Sequence, residues 1–311
     1  MTAAGQKTGY LTDDFKIFYL TNAEARDFQS HYHDFHKLLY FENGSVSYYV
    51  EGETYQLFPG DIVLVPAGEV HRPVIHDTSP YHRLILYISP KFFDHYKAMD
   101  IDLSHCFDAC SQRHSHVLRL PNIKESRIYP QLRELLLTCP GTKKPPQNMQ
   151  NVQPKQAAHP NAPIYSDDFC TQLSDPSRKL YQTSVLLQFL LLLNHLSDGG
   201  SISFPAASGA NTQVLQVLSY INKHLTEELS VDRIADACYL NRSYLMHLFR
   251  RETGYTLGSY ITEKRLFAAR VMIQSGTAVT DACLKSGFSN YTSFYRAYRK
   301  KFGEAPKTSR R

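Results

Sequence analysis

The sequence predicts a multidomain α+β chain: a β-rich barrel at the N-terminus, a helical segment in the middle and an all-α module at the C-terminus. Three observations predict it. Short runs rich in Val, Ile, Tyr and Leu, set apart by turn dipeptides, fill residues 1–120. Apolar residues then recur at helical spacing between residues 121 and 200. Finally, Val231 to Pro306 contains one pattern written twice, 48 or 49 residues apart.

In the first region the runs Lys37 to Phe41, Val46 to Val50, Ile62 to Val65 and Arg83 to Ile88 have strand composition, and Asn43-Gly44, Glu51-Gly52 and Pro59-Gly60 supply the turns. Strands this short and numerous favour a barrel or a sandwich. The stretches His31-x-His33 and Gly60-x5-Pro66-x-Gly68-x-x-His71 resemble the two motifs of a cupin barrel.

From Ile123 to Leu137 the apolar positions Ile128, Leu132, Leu135 and Leu136 mark a helix that Thr138-Cys139-Pro140-Gly141 stops. Residues 141–163, rich in Pro, Gln, Asn and Lys, are expected to be a disordered insertion. A second helix is expected from about Ser177 to Leu196, apolar over much of its circumference, with Leu180, Leu186, Leu190 and Leu193 among its residues. Such a helix is either core or a subunit contact. Residues 201–211, with Asp198-Gly199-Gly200 just before them, have the composition of a flexible linker.

The doubled pattern runs Val231, Ile234, Ala235, Tyr239-Leu240, Asn241, Leu245, Phe249, Gly254 and again Val279, Ala282, Cys283, Gly287-Phe288, Asn290, Phe294, Tyr298, Gly303. Apolar residues four apart share one helical face. Asn241 and Asn290 suit N-caps, and Gly254 and Gly303 suit helix ends with positive φ. Each copy therefore reads as helix, tight turn, helix, within helices expected at 212–225, 231–238, 242–253, 257–275, 279–286 and 291–301. The fourth, at ~1.5 Å per residue, is roughly 28 Å long, and successive major grooves on one face of DNA lie ~34 Å apart. One chain could thus place two helices in two successive grooves.

This module resembles the DNA-binding domain of the arabinose-operon regulator family, the AraC/XylS type. The matching residues are Tyr244-Leu245-x-x-Leu248-Phe249-Arg250-Arg251-x-x-Gly254, Arg265-Leu266-x-x-Ala269, and Gly287-Phe288-x-Asn290-x-x-Ser293-Phe294-x-Arg296-x-Tyr298-Arg299-Lys300-x-Phe302-Gly303-x-x-Pro306. Ala282-Cys283 departs from the usual Ile-Ala, and Tyr298 from the usual Phe. Helix geometry and the resemblance together give the base-reading candidates Ser243, Met246, His247, Tyr291, Thr292, Tyr295 and Arg296, with Arg242, Arg250 and Lys300 placed for phosphates; Lys301, like Lys300 near the helix end, is expected to touch phosphates at most. Arg296 is singled out because a guanidinium pairs in bidentate fashion with guanine O6 and N7. The bland alternative is that these side chains only solvate their helices.

In AraC-type regulators a cupin-like domain commonly precedes the DNA module and holds an effector, so the resemblance implies a small-molecule site at His31, His33, Lys37, His71 and Arg83. Cupin enzymes place a metal-binding Glu where this chain has Lys37, and a cation there repels a divalent ion. No metal and no other cofactor is therefore expected, and a metal-dependent cupin enzyme fused to a DNA-binding tail is the disfavoured rival. A lysine turned into the barrel would favour an anion such as a carboxylate or a phosphorylated sugar; a lysine turned to solvent would not. His105, Cys106, Cys110, His114 and His116 fit no usual zinc spacing, and the thiols could equally pack into a core. The resemblance further implies contact with RNA polymerase and a homodimer formed through the helix from about Ser177 to Leu196, with Leu186 and Leu190 in the subunit contact. A ligand-independent DNA binder is the other rival.

Bulk properties agree with this reading. Residues 212–311 carry 16 Lys or Arg against 8 Asp or Glu, leaving 18 against 21 in the rest of the chain. The basic excess lies where phosphates would be met. No apolar run reaches 18 residues, the first ten residues do not read as a signal peptide, and the six cysteines show no disulfide framework. A cytoplasmic protein without a membrane partner is expected.

Overall fold

A computed structural model describes residues 11, 13–22, 28–113, 115–139, 174–200 and 202–307. Strands β1 (Phe15–Asn22), β2 (His36–Asn43), β3 (Val46–Val50), β4 (Glu53–Gln56), β5 (Ile62–Val65), β6 (His71–Ile75), β7 (Tyr81–Ile88), β8 (Val117–Leu118) and β9 (Gly209–Ala210) form two sheets, ordered β1-β7-β2-β5-β8 and β6-β3-β4-β9. The β3–β4 turn follows from Glu51 and Gly52, both at positive φ, which matches the twist of the flanking strands.

The central strands are continuous apolar runs because both of their faces are covered. Leu38, Tyr40, Leu84 and Leu86 turn outward into a core shared with helices, while Leu39, Phe41, Val63 and Ile85 turn inward against the second sheet. The β2–β7 register pairs Lys37 with Tyr87, Leu39 with Ile85 and Phe41 with Arg83. Since Leu39 and Ile85 face inward, a period of two sends Lys37, Tyr87 and Arg83 inward as well.

Helices α1 (Pro90–Lys97), α2 (His105–Gln112), α3 (Tyr129–Leu137) and α4 (Asp175–Asp198) cover the outer face. Leu186 and Leu190 of α4 are wholly buried against the barrel, so they belong to the core. The exposed apolar residues of α4 are Leu180, 72% accessible, and Leu191, 51%. The insertion expected at 141–163 lies outside the described residues. The linker composition misleads: Arg119 and Ser203 exchange backbone hydrogen bonds, Ser115 Oγ donates to Pro205 O at 2.7 Å, and β9 pairs with β4. Tertiary hydrogen bonds hold a segment whose residues, taken alone, prefer no conformation.

The C-terminal module comprises α5 (Thr212–Lys223), α6 (Val231–Ala237), α7 (Arg242–Thr253), α8 (Leu257–Gln274), α9 (Val279–Lys285) and α10 (Tyr291–Phe302). Its boundaries fall within two residues of expectation because they are written in caps. Asn241 Oδ1 accepts from Ser243 N and Tyr244 N, Asn290 Oδ1 accepts from Ser293 N, and Gly254 and Gly303 end their helices at φ 78° and 75°.

Candidate nucleic-acid interface and effector pocket

The two expected recognition helices, α7 and α10, bury one face and free the other. Leu245, Leu248 and Phe249 fix α7, and Phe294 and Tyr298 fix α10. Arg242, Ser243, Met246, His247 and Arg250 on α7 are all exposed, as are Tyr291, Thr292, Arg296 and Lys300 on α10; Tyr295 is half-buried. Arg242 Nη1 meets Asp232 Oδ1 at 2.6 Å on the open surface, an arrangement that costs little to exchange for a phosphate. Lys301 departs from expectation. Its ammonium lies 2.6 Å from Glu263 Oε2 and 3.8 Å from the Tyr32 ring centroid, which ties it to the barrel rather than to the phosphate-facing side.

Inside the barrel the expected pocket residues come together. The His31 and His33 rings lie 4.5 and 4.7 Å from the His71 ring, and Lys37 Nζ is 3.4 Å from His71 Nε2. Each imidazole has Nδ1 against a backbone carbonyl: His31 against Gln29, His33 against Phe35, His71 against Glu69. Nδ1–H therefore donates outward and Nε2 keeps its lone pair. Burial, and then the charge of Lys37, keep all three imidazoles neutral, with His31 lowered to about 4 and His33 and His71 well below the usual range. Lys37 is itself lowered to about 7, by burial and then by the Arg83 guanidinium.

Arg83 donates to Tyr81 O and to Asn22 Oδ1, and among the described residues no carboxylate forms an ion pair with Lys37 or Arg83. Tyr48 Oη, Tyr81 Oη and His33 Nε2 are buried, and among the described residues none of them has a hydrogen-bond partner. Such orphans cost about 1–3 kcal/mol each, and a ligand that met them would recover that cost. The tyrosines escaped the sequence reading, although the alternation of Tyr81, Arg83 and Tyr87 along β7 was a usable signal. The second His/Cys group does not converge. His105 pairs with Asp198, Cys106 and Cys110 are core residues, His116 bonds Leu64 O, and His114 lies outside the described residues.

This cluster and the DNA module meet across one segment of chain. Along residues 31–34 the period of two turns His31 and His33 into the barrel and Tyr32 and Asp34 onto α8. Tyr32 packs edge-on to Phe267 at 5.2 Å, and Asp34 pairs with Arg270. Further along α8, Tyr260 Oη donates to Glu51 Oε2 and Lys264 Nζ lies 3.2 Å from Glu51 Oε1. Spacings of 3 or 4 place Tyr260, Lys264, Phe267 and Arg270 on one stripe of the helix.

Comparison with known proteins covers both halves. Residues 17–138 match the family model described as an AraC-like ligand binding domain, and residues 234–311 match a helix-turn-helix domain model. The chain is 25% identical over 285 residues to the HTH-type transcriptional activator RhaS of Shigella sonnei, covering 91% of this chain and 88% of that protein. Among solved structures, ToxT from Vibrio cholerae O395 aligns over 94% of this chain and 95% of its own at 11% identity and TM-score 0.35. A probable AraC family transcriptional regulator from Rhodopseudomonas palustris CGA009 aligns over 31% of this chain and 93% of its own, at 30% identity and TM-score 0.29.

Proposed function

We propose that the chain, whose two halves match an AraC-like ligand binding domain and a helix-turn-helix domain, is a DNA-binding transcription regulator of the AraC type in which a polyhydroxylated anion inside the barrel controls DNA binding. The observation that carries this reading is the pocket's donor and acceptor pattern. Three imidazole Nε2 lone pairs accept from hydroxyl groups, while Lys37, Arg83 and the Tyr48 and Tyr81 hydroxyls receive an anionic end. A sugar acid or a sugar phosphate has both. The segment 31–34 then carries the signal, because a ligand that moves His31 and His33 moves Tyr32 and Asp34 against α8. The relatives' naming as activators supports activation, through contact with RNA polymerase.

The pocket residues so assigned are His31, His33, Lys37, His71 and Arg83. The DNA residues are Arg242, Ser243, Met246, His247 and Arg250 on α7, and Tyr291, Thr292, Tyr295, Arg296 and Lys300 on α10. The exposed face of α4 bearing Leu180 and Leu191 is the proposed dimer surface. Leu191→Glu is expected to give monomers by sedimentation with an unchanged melting temperature, whereas Leu186→Glu is expected to unfold the barrel.

Calorimetric or thermal-shift screening of sugar acids and sugar phosphates tests the effector. Free Lys37, with its pKa lowered to about 7, is mostly neutral above that pH and must take up a proton to meet an anion. Affinity is therefore full below about pH 7 and falls ~tenfold for each pH unit above it. Lys37→Met is expected to remove the response and the pH dependence while DNA binding of the free protein persists. A response unchanged in Lys37→Met would overturn the assignment. Binding that vanished on chelation would instead indicate a metal at the imidazoles.

A further inference from the structure

Tyr239 is the C′ residue of α6, where the chain turns toward the first recognition helix. Its N–H donates to Asp236 O and that of Leu240 to Ala235 O, the paired bonds of a Schellman turn, which calls for a left-handed residue at C′. The second unit repeats the same two bonds, from Gly287 to Leu284 and from Phe288 to Cys283, with glycine at φ 94°. In the first unit a tyrosine takes that conformation at φ 55°. An L residue with a bulky side chain is strained there.

The side chain returns nothing to the fold. It is 92% exposed, and among the described residues its ring and hydroxyl form no hydrogen bond, ion pair or aromatic contact. Strain without burial or bonding marks a residue held for an external contact. Its position says which contact. Only Leu240 separates it from Asn241, the cap of α7, and α7 presents Arg242, Ser243, Met246 and His247 to solvent. The N-terminal end of a recognition helix is the end that enters the major groove, so a side chain projecting from the turn just before it stands at the groove wall. Phosphates line that wall, and tyrosine is one of their usual donors.

We propose that Tyr239 is a further DNA-contacting residue, its phenol O–H donating to a backbone phosphate beside the groove that α7 enters. The assignment rests on the DNA-binding function of the module and adds to it a contact that the second unit, with glycine there, lacks. Being neutral, the phenol displaces no counterion.

The test uses the full chain, a duplex site selected from a random pool, and a scrambled duplex. Tyr239→Gly is expected to melt at a higher temperature, because the strain is gone, and to bind both duplexes about tenfold more weakly. The salt slope is expected to stay that of the wild type. Tyr239→Phe is expected to lose as much affinity as Tyr239→Gly with little change in melting. Unchanged affinity in Tyr239→Gly, or full affinity in Tyr239→Phe, would overturn the proposal. So would a loss confined to the selected site, which indicates a base contact, or a lowered melting temperature in Tyr239→Gly, which indicates a residue serving the fold. Wild-type protein that selected no site would instead count against the DNA-binding reading itself.

Discussion

The first helix-turn-helix unit shares its core with the barrel, whereas the second closes over its own residues. Tyr32, Tyr49 and Val70 from the barrel are buried in one cluster with Ile234, Leu245 and Phe249. The cluster of the second unit comprises Leu266, Ala269, Ile273, Ala282, Cys283, Phe294 and Tyr298, all from residues beyond 265. Near-identical patterns thus yield one unit whose core includes barrel residues and one that meets the barrel only at its edge, through α8 and through Lys301 of α10 over the Tyr32 ring.

The largest expected effect breaks the second unit alone. A Cβ on Gly287 would lie 2.6 Å from Leu225 O and 3.0 Å from Thr226 Cα, at a φ that also disfavours it. Gly287→Ala should destabilise that unit by about 3 kcal/mol in denaturant unfolding. Native stability in this variant would contradict the close approach of α9 to the 225–226 loop.

Next comes recognition. Arg296→Ala should cost ~1–3 kcal/mol at the selected site and relax base preference there, with little loss on scrambled DNA. Equal weakening of both duplexes would make Arg296 a phosphate contact.

A smaller effect sharpens the contrast between the units. Tyr260→Phe removes a hydrogen bond to the Glu51 carboxylate, costing about 1.5 kcal/mol. Hydrogen-exchange protection should fall in α6 and α7 and hold in α9 and α10. Equal loss in both units would show that the barrel braces the whole module rather than its first half. The smallest effect is at Lys300, exposed near the end of α10, where Lys300→Ala should lower the salt slope by ~1 and leave base preference intact.

Wherever neighbouring residues decide conformation, the sequence was legible. Asn241, Asn290, Gly254 and Gly303 announce their helices because a cap is a bond made within a few residues. Lys37 to Phe41 and Ile62 to Val65 announce strands because β-branched and aromatic runs fit a pleated, covered surface. The same local chemistry put exposed polar residues on α7 and α10, since the apolar stripe that packs a helix names the opposite face.

The remaining decisions belonged to the tertiary structure. Nothing local says whether Lys37 points into the barrel; the pairing of β2 with β7 does, since a shift of one residue would turn every side chain over. Leu186 and Leu190 look no different from Leu180 and Leu191 until the barrel covers one face of α4. The linker composition promised freedom that β4 takes away by pairing with β9, and Lys301 looked like its neighbour Lys300 until Glu263 and Tyr32 claimed it. Caps, turns and periodicity are energies of adjacent residues, readable in order. Register, burial and ion pairing are energies between residues that only the folded chain brings together.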